Sequence, residues 1–107
     1  MGRSKITKSS RRKAVWKKTD GICAHCGNRI YGELNQTIDH FIPKSAGGGF
    51  DIRNLVPLCK DCNNKRHDKI VDPVSYYRYA PDWVIADCYR YQAHWRRERR
   101  SLDGYRH

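Results

Sequence analysis

The chain has 107 residues, 38% hydrophobic and 31% charged, and its 22 Lys and Arg against 11 Asp and Glu give a formal net charge of +11. So short and polar a sequence has room for one small domain with a thin core, which calls for a disulfide or metal staple. No stretch is apolar enough to span a membrane, and the basic run Met1–Lys18 lacks the apolar segment of a secretion signal. A soluble chain in the cytoplasm of a bacterium or a phage-infected host is therefore expected. Five cysteines, an odd number, argue against a closed set of disulfides and fit a reducing compartment where thiols bind metal.

Residues 1–8 are basic with nothing to bury and are expected to form a disordered arm, with 9–107 as one domain. Ser9 or Ser10 is placed to cap a helix through RRKAVWKKTD, with Val15 and Trp16 as its apolar side and Gly21 as its stop. GICAHCGNRI then forms a tight turn on Cys23 and Cys26. Residues 29–42 predict a β-hairpin, RIY against QTIDHFI, turning at Gly32–Asn35. PKSAGGGFDIR is a loop, since three consecutive glycines disfavour regular structure. NLVPLC returns as a short strand in which the Pro57 amide lies on an edge or outside the ladder. A helix begins within CKDCNNKRHDK, and the chain turns after Pro73. A last helix runs from Pro81–Asp82 to about Arg100, with Val84, Cys88, Tyr91 and Trp95 at helical spacing on one face.

The two cysteine pairs, Cys23-x-x-Cys26 and Cys59-x-x-Cys62, are separated by 32 residues. Each pair sits where a turn points two thiolates at one ion, which predicts a closed tetrahedral zinc that staples the fold and does no chemistry. His25, inside the first pair, reads as a solvent-facing spacer. Cys88 reads as a small buried hydrophobe. Trp16, Trp83 and Trp95 are expected in the core, while VSYYRYAPDW packs on the zinc module or touches a partner.

The positive charge gathers at the two ends. Residues 1–18 hold eight Lys or Arg and no acid, and residues 90–100 hold five Arg against Glu98 alone. Such blocks are either solvated faces or the footprint of a polyanion, most often nucleic acid. The middle of the chain decides between them. Asp39 and His40 stand side by side in an otherwise apolar strand, where a regular backbone would send them to opposite faces. Asn54 restarts the chain after the glycine loop, and Asn63 directly follows the last cysteine.

Together these residues, in TIDHFIPKSAGGGFDIRNLVPLCKDCNNKRHDK, resemble the core of an HNH nuclease, over residues 23 to about 69. Within that superfamily the layout is also similar to phage endonuclease VII. The resemblance implies a small α+β fold: a ββα-metal motif stapled by the structural four-cysteine zinc, with flanking N-terminal and C-terminal helices. It implies that His40 is the general base and Asp39 a ligand of a catalytic Mg²⁺ or Mn²⁺. It makes Asn54 the residue that tethers the long loop, and Asn63 the third motif position and second metal ligand, with His67 in reserve. The pattern is thus H-N-N. The products it implies carry 5′-phosphate and 3′-hydroxyl ends.

Hydrolysis of a phosphodiester needs a deprotonated water, a neutralised phosphate and a stabilised leaving oxygen, and this residue set supplies each. Lys44, Lys60, Lys65 and Arg66 are expected phosphate contacts, with Arg11, Arg12, Arg96 and Arg97 extending them along double-stranded DNA. The leading expectation is a metal-dependent DNA endonuclease. The competing ones are a zinc-stapled DNA-binding or phage packaging-assembly module without catalysis, and a nuclease for RNA or DNA junctions.

Overall fold

The computed structural model describes residues 8–105, and side chains through residue 100. Helix α1 (Lys8–Lys17) leads into the first cysteine turn. Strands β1 (Thr37–His40) and β2 (Leu55–Leu58) form an antiparallel pair, followed by helices α2 (Lys60–Lys65), α3 (Pro73–Tyr76) and α4 (Asp82–Tyr105). The result is a small α+β fold in which α2 packs against β1 of the two-stranded sheet, the ββα arrangement expected from the sequence. Most of the expected arm, residues 1–7, lies outside the described residues, while Lys8 opens α1. Ser9 and Ser10 accordingly stand inside the helix and not at its cap.

The hairpin has a different first partner from the one predicted. Asp39 pairs with Val56 and His40 with Leu55, so β1 returns across the glycine loop to β2. RIY does not join it. Both backbone groups of Ile30 are engaged elsewhere, its N–H donating to Gly21 at 2.7 Å and its carbonyl accepting from Trp16 Nε1 at 3.1 Å. Arg29 makes only an isolated bridge to Ile22, so this segment closes the cysteine turn instead of edging the sheet. Pro57 falls as expected: it stands opposite Ile38, and its carbonyl points away from β1 to accept the Ala24 amide at 3.0 Å. Its missing N–H therefore costs the ladder nothing.

The core is thin and gathers Phe41, Ile42, Val56 and Leu58 with Tyr77, Cys88 and Tyr91. On α4, Val84, Cys88 and Tyr91 are buried and Trp95 packs at the edge, the predicted stripe. The helix runs to Tyr105, past the expected end near Arg100. Trp83, expected in the core, is instead 51% exposed, because it lies one residue, about 100° of turn, from the buried Val84. Pro73 opens a helical turn capped by Asp72, whose side chain accepts the Val74 amide. VSYYRYAPDW packs on the zinc module: Tyr77 is fully buried, and the Tyr79 amide donates to Ala24 in the cysteine turn. Among the described residues no helix is long and apolar enough to cross a membrane.

Polar groups tie this small core together. Lys18 is buried, and its ammonium donates to the carbonyls of Ile52 and Leu55, fixing the start of β2 to the end of α1. The loop from 44 to 49 is strapped to α4, with Ala46 accepting from Trp95 Nε1 at 2.8 Å and the Gly49 amide donating to the Tyr91 hydroxyl at 2.9 Å. Gly48 has no room for a side chain, since a Cβ there would stand 1.7 Å from the Ile42 carbonyl oxygen. At Gly49 the nearest atom would be the Tyr91 hydroxyl at 3.7 Å, an ordinary contact. Gly48→Ala should lower the melting temperature by roughly 10 °C, equivalent to about 2 kcal/mol, whereas Gly49→Ala should change it by less than about 3 °C. Thermal unfolding of the two variants measures the contrast.

Candidate active site

Two short elements bring the cysteines together. Cys23 and Cys26 lie on a turn closed by Gly27 N–H to the Cys23 carbonyl at 2.9 Å, with Gly27 at φ +81°. Cys59 precedes the first residue of α2 and Cys62 lies in its first turn. The four sulfurs fall within 4.8 Å of one another, and Cys26 and Cys59 are 3.9 Å apart. Zn–S bonds of ~2.3 Å in a tetrahedron set sulfurs ~3.8 Å apart, so the donor set fits a closed structural zinc. The Asn28 amide points at Cys26 Sγ at 3.5 Å, a contact that favours thiolate. His25 departs from its expected role: it is half-buried, stacks on Tyr76 at 4.1 Å and holds the Tyr76 carbonyl at 2.7 Å through Nδ1.

Where α2 crosses β1 there is a cavity of about 390 Å³ lined by Asp39, His40, Asn63, His67 and Asp68, with Lys44 at its rim. Asp39 and His40 reach the same cavity because β1 ends at His40 and the chain bends away there. The Asp39 carboxylate is buried, and its Oδ2 accepts from the Tyr77 hydroxyl at 2.6 Å and from Arg66 Nε at 3.0 Å. Burial pushes its pKa up, while Tyr77 and Arg66 pull it back down.

His40 is half-buried, with its ring edge on Phe50 at 4.9 Å and its Nδ1 buried without a hydrogen bond of ordinary geometry. Burial lowers its pKa, and the positive charges of Lys44 and Arg11 lower it further against the opposing pull of the Gly49 backbone and Asp39. Asn54 is fully buried; its Oδ1 accepts the Ile42 amide at 2.7 Å and its Nδ2 donates to the carbonyls of Ile42 and Gly49, both at 3.1 Å. That one side chain bridges the two ends of the glycine loop beside His40.

Asn63 projects from α2 at the cavity, one residue beyond Cys62. His67 also lines the cavity, yet it is not one helical turn further on: α2 stops at Lys65, and Arg66 is already extended at φ −75°, ψ 126°. The basic residues divide. Lys44 stands between this cavity and a second one, about 400 Å³, walled by Lys8, Arg11, Arg12 and Phe50 on the other side of His40. Arg11 lies over the Phe50 ring at 4.9 Å.

Other expected phosphate contacts are occupied or distant. Arg12 donates to the carbonyls of Glu33 and Gln36, pinning the segment before β1. The Arg66 side chain is 6% exposed, is ion-paired to Asp39 and lines the same cavity. Lys60 lines a separate hollow with Arg29 and Tyr31. Lys65 is exposed at the end of α2, and Arg96 and Arg97 are exposed on α4. Tyr77 and Phe50 are the site residues that sequence reasoning passes over.

Residues 23–69, which hold the four-cysteine cluster and the ββα unit, match the family model described as HNH endonuclease. The chain is also similar to the Septu protein PtuB of Bacillus thuringiensis, 32% identical over 66 residues. That match covers 57% of this chain and 26% of the relative, so the chain spans about a quarter of the length of the curated relative.

Because His40 is shifted downward, its neutral ring persists to a lower pH than the ordinary ~6.5. An NMR titration of His40 should give a midpoint below that value, and Lys44→Ala should move it up by removing a positive neighbour. A midpoint above ~6.5 in the native chain contradicts the electrostatic description of the site.

Proposed function

We propose that this chain is a metal-dependent endonuclease that hydrolyses phosphodiester bonds of double-stranded DNA in the cavity between β1 and α2. The observation that carries the reading is the convergence of Asp39, His40 and Asn63 on one cavity with Lys44 at its rim. The family match over the same residues supports nuclease chemistry, and the Septu relative is similar over 66 residues of a longer chain.

His40 is the general base in this reading. Its depressed pKa keeps the imidazole neutral at working pH, and since Nδ1 is buried, Nε2 is the nitrogen left to take a proton from water. Lys44, next to the ring, holds the phosphate and disfavours protonation of His40 before reaction. Asn54 keeps the glycine loop, and with it Gly49 and Phe50, against the ring.

The donor set at the cavity suits a hard cation. Of the two Asp39 oxygens, Oδ2 takes the hydrogen bonds of both Tyr77 and Arg66 and Oδ1 takes none among the described residues, while Asn63 offers an amide oxygen from the facing helix. Asp39 and Asn63 would hold Mg²⁺ or Mn²⁺, which supplies charge neutralisation at the phosphate and at the leaving 3′-oxygen. The rest of the surface fits a polyanion, with Arg11 and Lys8 beyond His40 continuing the basic wall.

Purified protein with Mg²⁺ or Mn²⁺ should nick or cut plasmid DNA, and a chelator of divalent ions should stop it. His40→Ala should slow cleavage by at least ~10²-fold while keeping zinc content and salt-sensitive DNA binding. The native rate should fall only as pH drops below ~6.5, in step with the lowered His40 pKa. Cutting by His40→Ala at the native rate removes the base assignment, and DNA binding without metal-dependent cleavage favours a non-catalytic module.

A further inference from the structure

The grip on Asp39 has an unusual form. Arg66 sends Nε to Asp39 Oδ2, Nη1 to the carbonyls of His67 and Lys69, and Nη2 toward the Phe41 carbonyl at 3.3 Å. A guanidinium beside a free carboxylate ordinarily takes both oxygens through two parallel bonds. Here it takes one, with its Nη groups committed to backbone carbonyls and the same Oδ2 also bound by Tyr77 at 2.6 Å. Tyr77 itself has little freedom: its ring is fully buried, edge-on to Phe41 at 6.3 Å and to Tyr76 at 5.3 Å. It lies eight residues beyond the segment that matches the HNH family.

We propose that Tyr77 is a positioning residue for the candidate metal ligand. By fixing Oδ2 it keeps the carboxylate from rotating and turns Oδ1 toward the cavity shared with Asn63. The inference rests on the reading of Asp39 as a ligand for a divalent cation. Two effects of the hydroxyl oppose each other. Its hydrogen bond withdraws some charge from the carboxylate, which weakens binding of a cation, but its loss leaves the carboxylate held at Oδ2 by Arg66 Nε alone and free to rotate. A rotating carboxylate no longer presents Oδ1 steadily to the cavity, so positioning prevails. Partners that orient a ligating group commonly change metal affinity by about 10–100-fold.

Zinc-replete native protein, Tyr77→Phe, Asp39→Asn and Phe41→Leu are titrated with Mn²⁺ and followed by electron paramagnetic resonance, with zinc content and melting temperature recorded beside each. Tyr77→Phe removes only the hydroxyl, and Phe41→Leu disturbs the same core without touching an Asp39 oxygen. The proposal predicts that Tyr77→Phe retains zinc and binds Mn²⁺ on the order of tenfold more weakly, while Phe41→Leu binds as the native chain does. Native affinity in Tyr77→Phe, or an equal loss in Phe41→Leu, overturns it while leaving Asp39 as a ligand. Native Mn²⁺ binding that survives Asp39→Asn overturns the reading beneath it as well. Should Tyr77→Phe not fold, the native protein still decides: the Tyr77 hydroxyl proton must persist when Mg²⁺ saturates the site, and its loss on Mg²⁺ binding contradicts the proposal.

Discussion

Everything at the candidate site depends on four sulfurs meeting at one point. Helix α2 is only six residues long, and a helix of that length does not hold itself together in water. It is fixed because Cys59 and Cys62 bracket its first turn and converge with Cys23 and Cys26 from the turn after α1. Asn63 is the next residue, so its direction over β1 follows from the position of the sulfurs. A zinc held by this cluster would close a segment of 32 residues between the two pairs, a loop that the thin core alone closes weakly.

Inside that frame the chain relies on buried polar groups as much as on apolar contact. Asn54 joins the ends of the glycine loop, Lys18 ties α1 to β2, and Arg66 links β1 to the segment after α2. Each has its polar atoms matched to carbonyls, amides or a carboxylate. Removing one partner leaves the other buried and unpaired, which costs about 1–3 kcal/mol and more for a charge. These tethers are therefore sharper constraints on geometry than an aliphatic contact of the same size. They also set the electrostatics: the same burial that lowers the His40 pKa raises that of Asp39, pushing each toward its neutral form.

Much of this is legible in local spacing. The paired C-x-x-C turns, the Asp39–His40 step, the Pro57 amide turned away from the ladder and the apolar stripe of α4 all follow from short-range rules, and the structure matches them. What escapes depends on contacts distant along the chain. RIY has the composition of a strand, but the backbone of Ile30 is claimed by Gly21 and Trp16. Arg66 looks like any surface arginine until Asp39, 27 residues earlier, is placed beside it. Tyr77 carries no periodic signal that would aim its hydroxyl at a carboxylate 38 positions away. His25 reads as a spacer because nothing nearby in sequence foretells the stacking with Tyr76.

The central claim is that the sulfur cluster, through α2, holds Asn63 against the Asp39–His40 end of β1. The most direct measurement is stepwise removal of zinc from ¹⁵N-labelled protein, following the amide signals of Asn63, Asp39 and His40. The account predicts that all three leave their native positions together, in proportion to the zinc withdrawn. Zinc-free protein in which Asn63 and His40 keep their native signals would contradict it.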